Sequence, residues 1–117
     1  MTAVENLRPP SLPSVDDTAT LAEIFHLMGD PSRLRIVLTC LHGAVPVNEI
    51  ANSLGLSQSS VSHHLRLLRS ARILRAERRG KQVFYSAADH HVRHMLEDMV
   101  EHIGEPASSE PKKGDDK

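Results

Sequence analysis

Between residues 18 and 28 (TATLAEIFHLM) the apolar side chains Leu21, Ile24, Phe25 and Met28 recur at the spacing of one helical face. A second helix is predicted directly after it. Asp30 is a capping residue, and Pro31 stands at the first helical position, where its missing N–H removes no bond. Leu34, Val37, Leu38 and Leu41 carry the stripe of this helix, and Gly43 marks its stop. Pro46 opens a short helix, VNEIANSL, closed by Gly55. Ser57 begins the next, with Val61, Leu65 and Leu68 facing inward. After Ala71 the period changes: ILRAER and QVFYS are short strand-like runs around Arg79-Gly80-Lys81, a hairpin with a basic tip. From Asp89 to about Ile103 runs a last helix, with Val92, Met95, Leu96, Met99, Val100 and Ile103 in an unbroken apolar stripe.

Two short helices joined by a tight glycine-containing turn are a helix-turn-helix unit. The order helix, helix, helix-turn-helix, hairpin, helix predicts a mainly α fold with a small β-hairpin, the winged helix-turn-helix. Residues 1–16 hold three prolines and no period, so a flexible arm is expected there. Residues 106–117 are polar and charged, the composition of a disordered tail. The folded unit is thus expected over residues 17–105, as a DNA-binding and dimerisation domain. A core of that size is modest, and a dimer interface would bury more apolar surface.

Composition narrows the function classes. No apolar run approaches the length of a membrane span, and the first residues lack a basic-then-apolar leader, so the cytoplasm is the expected compartment. One cysteine, Cys40, excludes an intrachain disulfide and a multi-thiolate metal site within the chain, and it reads as a small buried hydrophobe. Two Phe, one Tyr and no Trp leave no stacking platform for single-stranded nucleic acid. The net charge is −1, but its distribution is uneven. Residues 57–81 hold seven basic side chains against Glu77 alone, while the rest holds seven basic and fourteen acidic ones. Such segregation suits a basic face for an anionic polymer.

The second helix of the pair begins Ser57-Gln58-Ser59-Ser60-Val61-Ser62-His63-His64. A recognition helix meets double-stranded DNA with these N-terminal positions. Gln58 suits an adenine edge, and the serines and backbone N–H groups suit phosphate oxygens. Arg66 and Arg69 lie further along, toward the backbone, and Arg78, Arg79 and Lys81 arm the wing tip. Ser57, Gln58, Ser59, Ser60, Ser62, His63, His64, Arg66, Arg69, Arg78, Arg79 and Lys81 are therefore the candidate DNA contacts. One module has a small footprint, so a homodimer on a two-fold operator is expected.

Three stretches carry a family resemblance: Leu27-Met28-Gly29-Asp30-Pro31-Ser32-Arg33-Leu34-Arg35-Ile36, then Leu56 through Leu65, then Arg79-Gly80-Lys81 through Tyr85. In combination they resemble the ArsR/SmtB family of metal-sensing repressors over roughly residues 18–105.

The last helix adds candidate metal ligands. It carries Asp89-His90-His91 at one end and His102-Ile103-Gly104-Glu105 at the other. His91 and His102 share a face but lie roughly 16 Å apart along the axis at about 1.5 Å per residue. Ligand bonds are about 2 Å, so one helix cannot bring both to one ion. Two antiparallel copies can, with Asp89 and His91 of one protomer facing His102 and Glu105 of the partner subunit, giving two equal sites per dimer. The resemblance implies the same four positions, since the family's last-helix sensor pattern is Asp-x-His followed by His-x-x-Glu or His-x-x-His. The family's other common site has cysteines in the first helix of the pair; Val45 to Glu49 has none. Two imidazoles and two carboxylates suit Zn(II), with Co(II) second. Asp89 is also the natural N-cap of this helix. His90 and His94 read as a solvated pair, and His26 and His42, lacking partners in the sequence, as structural.

The resemblance implies derepression: the metal-free dimer holds its operator, and metal favours a form that fits poorly. Histidine must be neutral to ligate, so sensing is expected to fail below about pH 6. A regulator of the same fold answering to another ion, to redox or to a small molecule is the competing reading, and a protein-interaction module without DNA is a third. No nucleophile–base pair or phosphate loop points to an enzyme.

Overall fold

The computed structural model describes residues 11–106. Helix α1, Val15–Met28, starts at Ser14, whose hydroxyl accepts the Asp17 N–H at 3.0 Å. Asp16 and Asp17 then stand at the positive end of the helix dipole. The arm expected over residues 1–16 is therefore corrected at its C-terminal end, where Val15 and Asp16 are helical; residues 1–10 lie outside the described residues. The apolar period begins only at Leu21, whereas a polar cap decides where the helix starts. The tail expected over residues 106–117 lies outside the described residues except for Pro106.

Helix α2, Pro31–Thr39, is capped by Asp30, whose Oδ2 accepts the Arg33 N–H at 3.0 Å. Arg33 also reaches back, its Nε donating to the Leu27 carbonyl at 2.8 Å. One residue thus joins the end of α1 to the start of α2. Leu41 falls in the turn after α2 but is still buried.

Strand β1, Val45–Pro46, leads into helix α3, Val47–Leu54, and α3 is joined by a tight turn to helix α4, Gln58–Ser70. Gly55 ends α3 in the left-handed conformation (φ 69°), which lets the N–H groups of Gly55 and Leu56 both return to the Ala51 carbonyl. Ser57 caps α4, its hydroxyl accepting the Ser60 N–H at 3.1 Å. Strands β2, Leu74–Arg79, and β3, Gln82–Ala87, form the hairpin, and helix α5, His90–Gly104, closes the described fold.

The sheet has the order β1-β3-β2 and is antiparallel throughout. Its third strand was not foreseen: Val45 and Pro46 pair with Tyr85 and Phe84. Two residues are too short to show a period, and only the tertiary pairing defines them as a strand. The architecture is a winged helix-turn-helix, as the element order predicts.

The core lies where α2, α3, α4 and the base of the wing meet. Ile36, Val37, Ile50, Val61, Leu65 and Leu68 are fully buried, and Leu96 is the buried residue of α5. The stripe of α5 is divided. Val92 and Met95 pack against the core, whereas Met99, Val100 and Ile103 are exposed, Ile103 by 78%. On α1, Leu21 and Phe25 are likewise exposed. Among the described residues no helix is long and apolar enough to cross a membrane.

A Cβ at Gly55 would meet nothing within 4 Å, so the backbone angle alone restricts this position. Gly55→Ala is expected to destabilise the fold by about 1 kcal/mol, while Gly43→Ala, with open space and no left-handed angle, should leave stability unchanged in urea unfolding. Equal midpoints for the two variants would refute this account of the turn.

Candidate nucleic-acid interface and metal centre

The cap at Ser57 places the first turns of α4 at the surface. Gln58, Ser59, Ser62, His63, Arg66 and Arg69 are exposed, and Ser60 is half-buried. The Ser57 hydroxyl holds the Ser60 N–H and lies 3.4 Å from the Ser59 hydroxyl, so its first task is the helix start. Arg66 and Arg69 border a hollow with Ser62, Ser70 and Tyr85, and a second hollow joins Gln58 and Ser62 to Lys81, Gln82 and Asn48. Helix and wing therefore form one continuous polar and basic face.

Tyr85, Gln82 and Asn48 belong to this face and were not singled out in the sequence. Tyr85 lines both hollows, and the Gln82 Nε2 donates to Asn48 Oδ1 at 3.4 Å. Strand alternation could have flagged Tyr85, but Asn48 enters only through the fold.

Two candidates are placed differently from the rest. Arg79 stacks its guanidinium 4.8 Å from the centre of the Phe84 ring and pairs with Glu77 at 3.2 Å. It lies on the sheet face opposite Tyr85, because side chains alternate along a strand. His64 turns inward. It is half-buried, and its Nδ1 is buried with no hydrogen-bond partner among the described residues. Burial lowers its pKa, the Arg33 charge adds to this, and Asp30 opposes it. A neutral imidazole wedged against the α1–α2 junction is a packing group more than a cationic DNA contact.

The last helix presents the metal candidates at its two ends. Asp89 is the N-cap of α5, Oδ1 accepting the Val92 N–H at 3.1 Å. That bond, assisted by the neighbouring His91 charge, holds its carboxyl below the usual carboxylate range. The group is thus ionised at neutral pH and keeps Oδ2 outside the cap bond. His91 is exposed, its ring 3.9 Å from that of His90, which in turn meets His94 edge-on at 5.7 Å. His102 and Glu105 are exposed in the last turn, where the Glu105 N–H returns to the His102 carbonyl at 3.3 Å. Among the described residues of one chain, no three His, Cys, Asp or Glu side chains gather as a metal group. Two imidazoles with two carboxylates nonetheless form a donor set that fits zinc, provided a second chain brings the two ends together.

His42, read as structural, has a partner that the sequence does not show: its Nε2 is 2.6 Å from Glu97 Oε2. The pair links the end of α2 to α5, residues too far apart in sequence to be matched there. Cys40 is fully buried, and burial pushes its thiol up to about 12.

The family described as bacterial regulatory protein, arsR family, matches residues 30–76, from the α2 cap into β2. The chain is 38% identical over 96 residues to a transcriptional repressor SmtB homolog of Synechocystis sp., covering 82% of this chain and 73% of that protein. It is 36% identical over 89 residues to a cadmium resistance transcriptional regulatory protein CadC homolog of Staphylococcus aureus, covering 75% and 74%. Its fold is similar to the crystal structure of NolR from Sinorhizobium fredii, with a TM-score of 0.70 and 28% identity over 86% of this chain and all of that one.

A histidine whose folded pKa is lowered binds fewer protons than the unfolded chain between its folded pKa and about 6.5. Its contribution is therefore fully present above that range and is lost as pH falls through it. His64→Leu is expected to lose less stability than the parent between pH 7.5 and pH 5.5, as judged by urea unfolding. An equal loss in both would show that the His64 environment does not disfavour its charged form.

Proposed function

Since the chain belongs to the arsR family of bacterial regulatory proteins, we propose that it is a metal-responsive transcriptional repressor, a homodimer that binds operator DNA and leaves it when Zn(II) occupies inter-subunit sites. It is a regulator and not an enzyme, in keeping with the regulatory relatives it resembles. The observation that carries the proposal is the exposed apolar flank of α5, Met99, Val100 and Ile103, running alongside two ligand pairs that one chain cannot join. Leu21 and Phe25 of α1 extend the same unfilled demand for burial. Antiparallel pairing of two α5 helices answers both needs together, covering the apolar flank and completing the donor set.

Asp89 and His91 of one protomer and His102 and Glu105 of the partner subunit hold the ion. A bound Zn(II), or Co(II) in its place, supplies a charged cross-link between the two helices. The α4 face reads the operator: Gln58 and Ser62 toward the bases, Ser59, Ser60 and His63 beside them, and Arg66, Arg69, Arg78 and Lys81 toward phosphate. Ser57 contributes by fixing the helix start. The working unit is residues 17–105 with the capped turn before it, and its DNA partner assigns it to the cytoplasm. By linkage, the factor by which metal weakens DNA binding is the factor by which DNA weakens metal binding. The competing redox reading is less favoured, because Cys40, the one thiol, is fully buried and burial pushes it away from the reactive thiolate form.

His102→Ala is expected to bind operator as the parent does and to remain bound when zinc is added, in fluorescence anisotropy with and without chelator. Full release of this variant by zinc would refute the site. Arg66→Ala should weaken DNA binding and reduce the slope of log K against log salt by about one, with zinc affinity unchanged; an unaltered slope would remove Arg66 from the phosphate contacts.

A further inference from the structure

Away from the DNA face and from the metal ligands, the chain holds an unassigned basic hollow. Its volume is about 430 Å³, and it is walled by the outer face of the β2–β3 hairpin, the turn after α2 and Arg93 of α5. Register explains how the charges gather. Arg75 and Ser86 are direct cross-strand partners, and Arg75, Glu77 and Arg79 follow at every second position of β2, so all four share one sheet face. Tyr85, which lines the hollows beside α4, points to the other.

The charges here are not balanced within the chain. Arg79 has Glu77 at 3.2 Å. The Arg75 Nε donates to the Ser86 hydroxyl at 3.3 Å, leaving its two terminal nitrogens without an acidic partner among the described residues. Arg93 is half-buried and forms no ion pair or side-chain hydrogen bond among them. Two guanidiniums from different elements, Arg75 and Arg93, therefore line one hollow together with the Ser86 hydroxyl, the Glu77 carboxylate that Arg79 neutralises, and the buried Leu41. A guanidinium offers a planar fork of donors that matches carboxylate and phosphate oxygens. The volume falls in the range of small-molecule sites.

We infer that this hollow binds a small organic anion, through a phosphate or carboxylate group held between Arg75 and Arg93 with Ser86 as a further donor. Leu41 and the adjoining backbone accommodate the carbon part. Because Arg75 stands on the wing and Arg93 on the last helix, a bound anion ties these two elements together. Binding of the anion is independent of the repressor proposal.

The test uses the full chain, with arginine Nε–H signals followed by NMR during titration with inorganic phosphate or with succinate, chloride being exchanged to hold ionic strength constant. The Arg75 and Arg93 signals are expected to shift saturably with a shared midpoint, and the anion with the lower midpoint identifies the recognised group. Arg93→Gln should raise that midpoint by roughly tenfold or more, and Arg35→Gln on α2 should leave it unchanged. If Arg93→Gln loses its folded spectrum, Arg75→Gln provides the same comparison. Shifts that do not saturate with either anion, or a midpoint unchanged by the Arg93 and Arg75 variants, would overturn the proposal. So would duplex DNA that moves Arg75 and Arg93 as far as it moves Arg66, since the hollow would then belong to the DNA face.

Discussion

Helix α5 carries more apolar surface than its own subunit can cover. Its first turns reach the core through Val92, Met95 and Leu96, but the core ends there, and Met99, Val100 and Ile103 continue past it into solvent. Burial of a large aliphatic side chain contributes about 1.5–3 kcal/mol, so a second helix laid along this flank is strongly favoured. The same helix separates Asp89 and His91 from His102 and Glu105 by about three turns. A single constraint, a rigid helix longer than the core it packs on, thus favours the proposed dimer and sets where the proposed ligands of two chains would meet.

The junction between α1 and α2 performs a comparable task for the DNA face. Asp30 caps α2 through the Arg33 N–H, and the Arg33 side chain closes α1 through the Leu27 carbonyl. His64 of α4 packs beside these groups as a neutral ring, its charged form disfavoured by burial and by Arg33. The recognition helix is therefore oriented by a packed imidazole on one side and by Val61, Leu65 and Leu68 on the other. Its DNA-facing residues are left to the surface between.

Alternation along the hairpin divides the basic side chains into two populations. Arg78 shares the face of Val83 and Tyr85, which line the hollows beside α4. Arg75 and Arg79 turn away, toward the last helix, where Arg93 joins them. Their shared sign looks like a single basic patch in the linear chain, yet the sheet separates them by the thickness of a pleat. Net charge over a segment reports the need for anions, and the strand period decides how many sites meet it.

Element types, caps and turn residues were legible in the sequence because each depends on neighbours within about four positions. Asp30 with Pro31, Gly55, Ser57 and Asp89 mark their boundaries by local hydrogen bonding and backbone angle, and the structure bears them out. Ser14 was legible in principle, but the apolar period that drew attention begins later. The resemblance carried the four last-helix candidates by pattern, and helix rise alone excluded their meeting within one chain. What only the tertiary structure decided is which way each face looks: that His64 turns inward, that Arg79 stacks on Phe84, that His42 finds Glu97, and that Arg75 and Arg93 share a cavity. Those outcomes depend on contacts between residues distant in the chain, and a spacing rule has no access to a neighbour brought close only by packing.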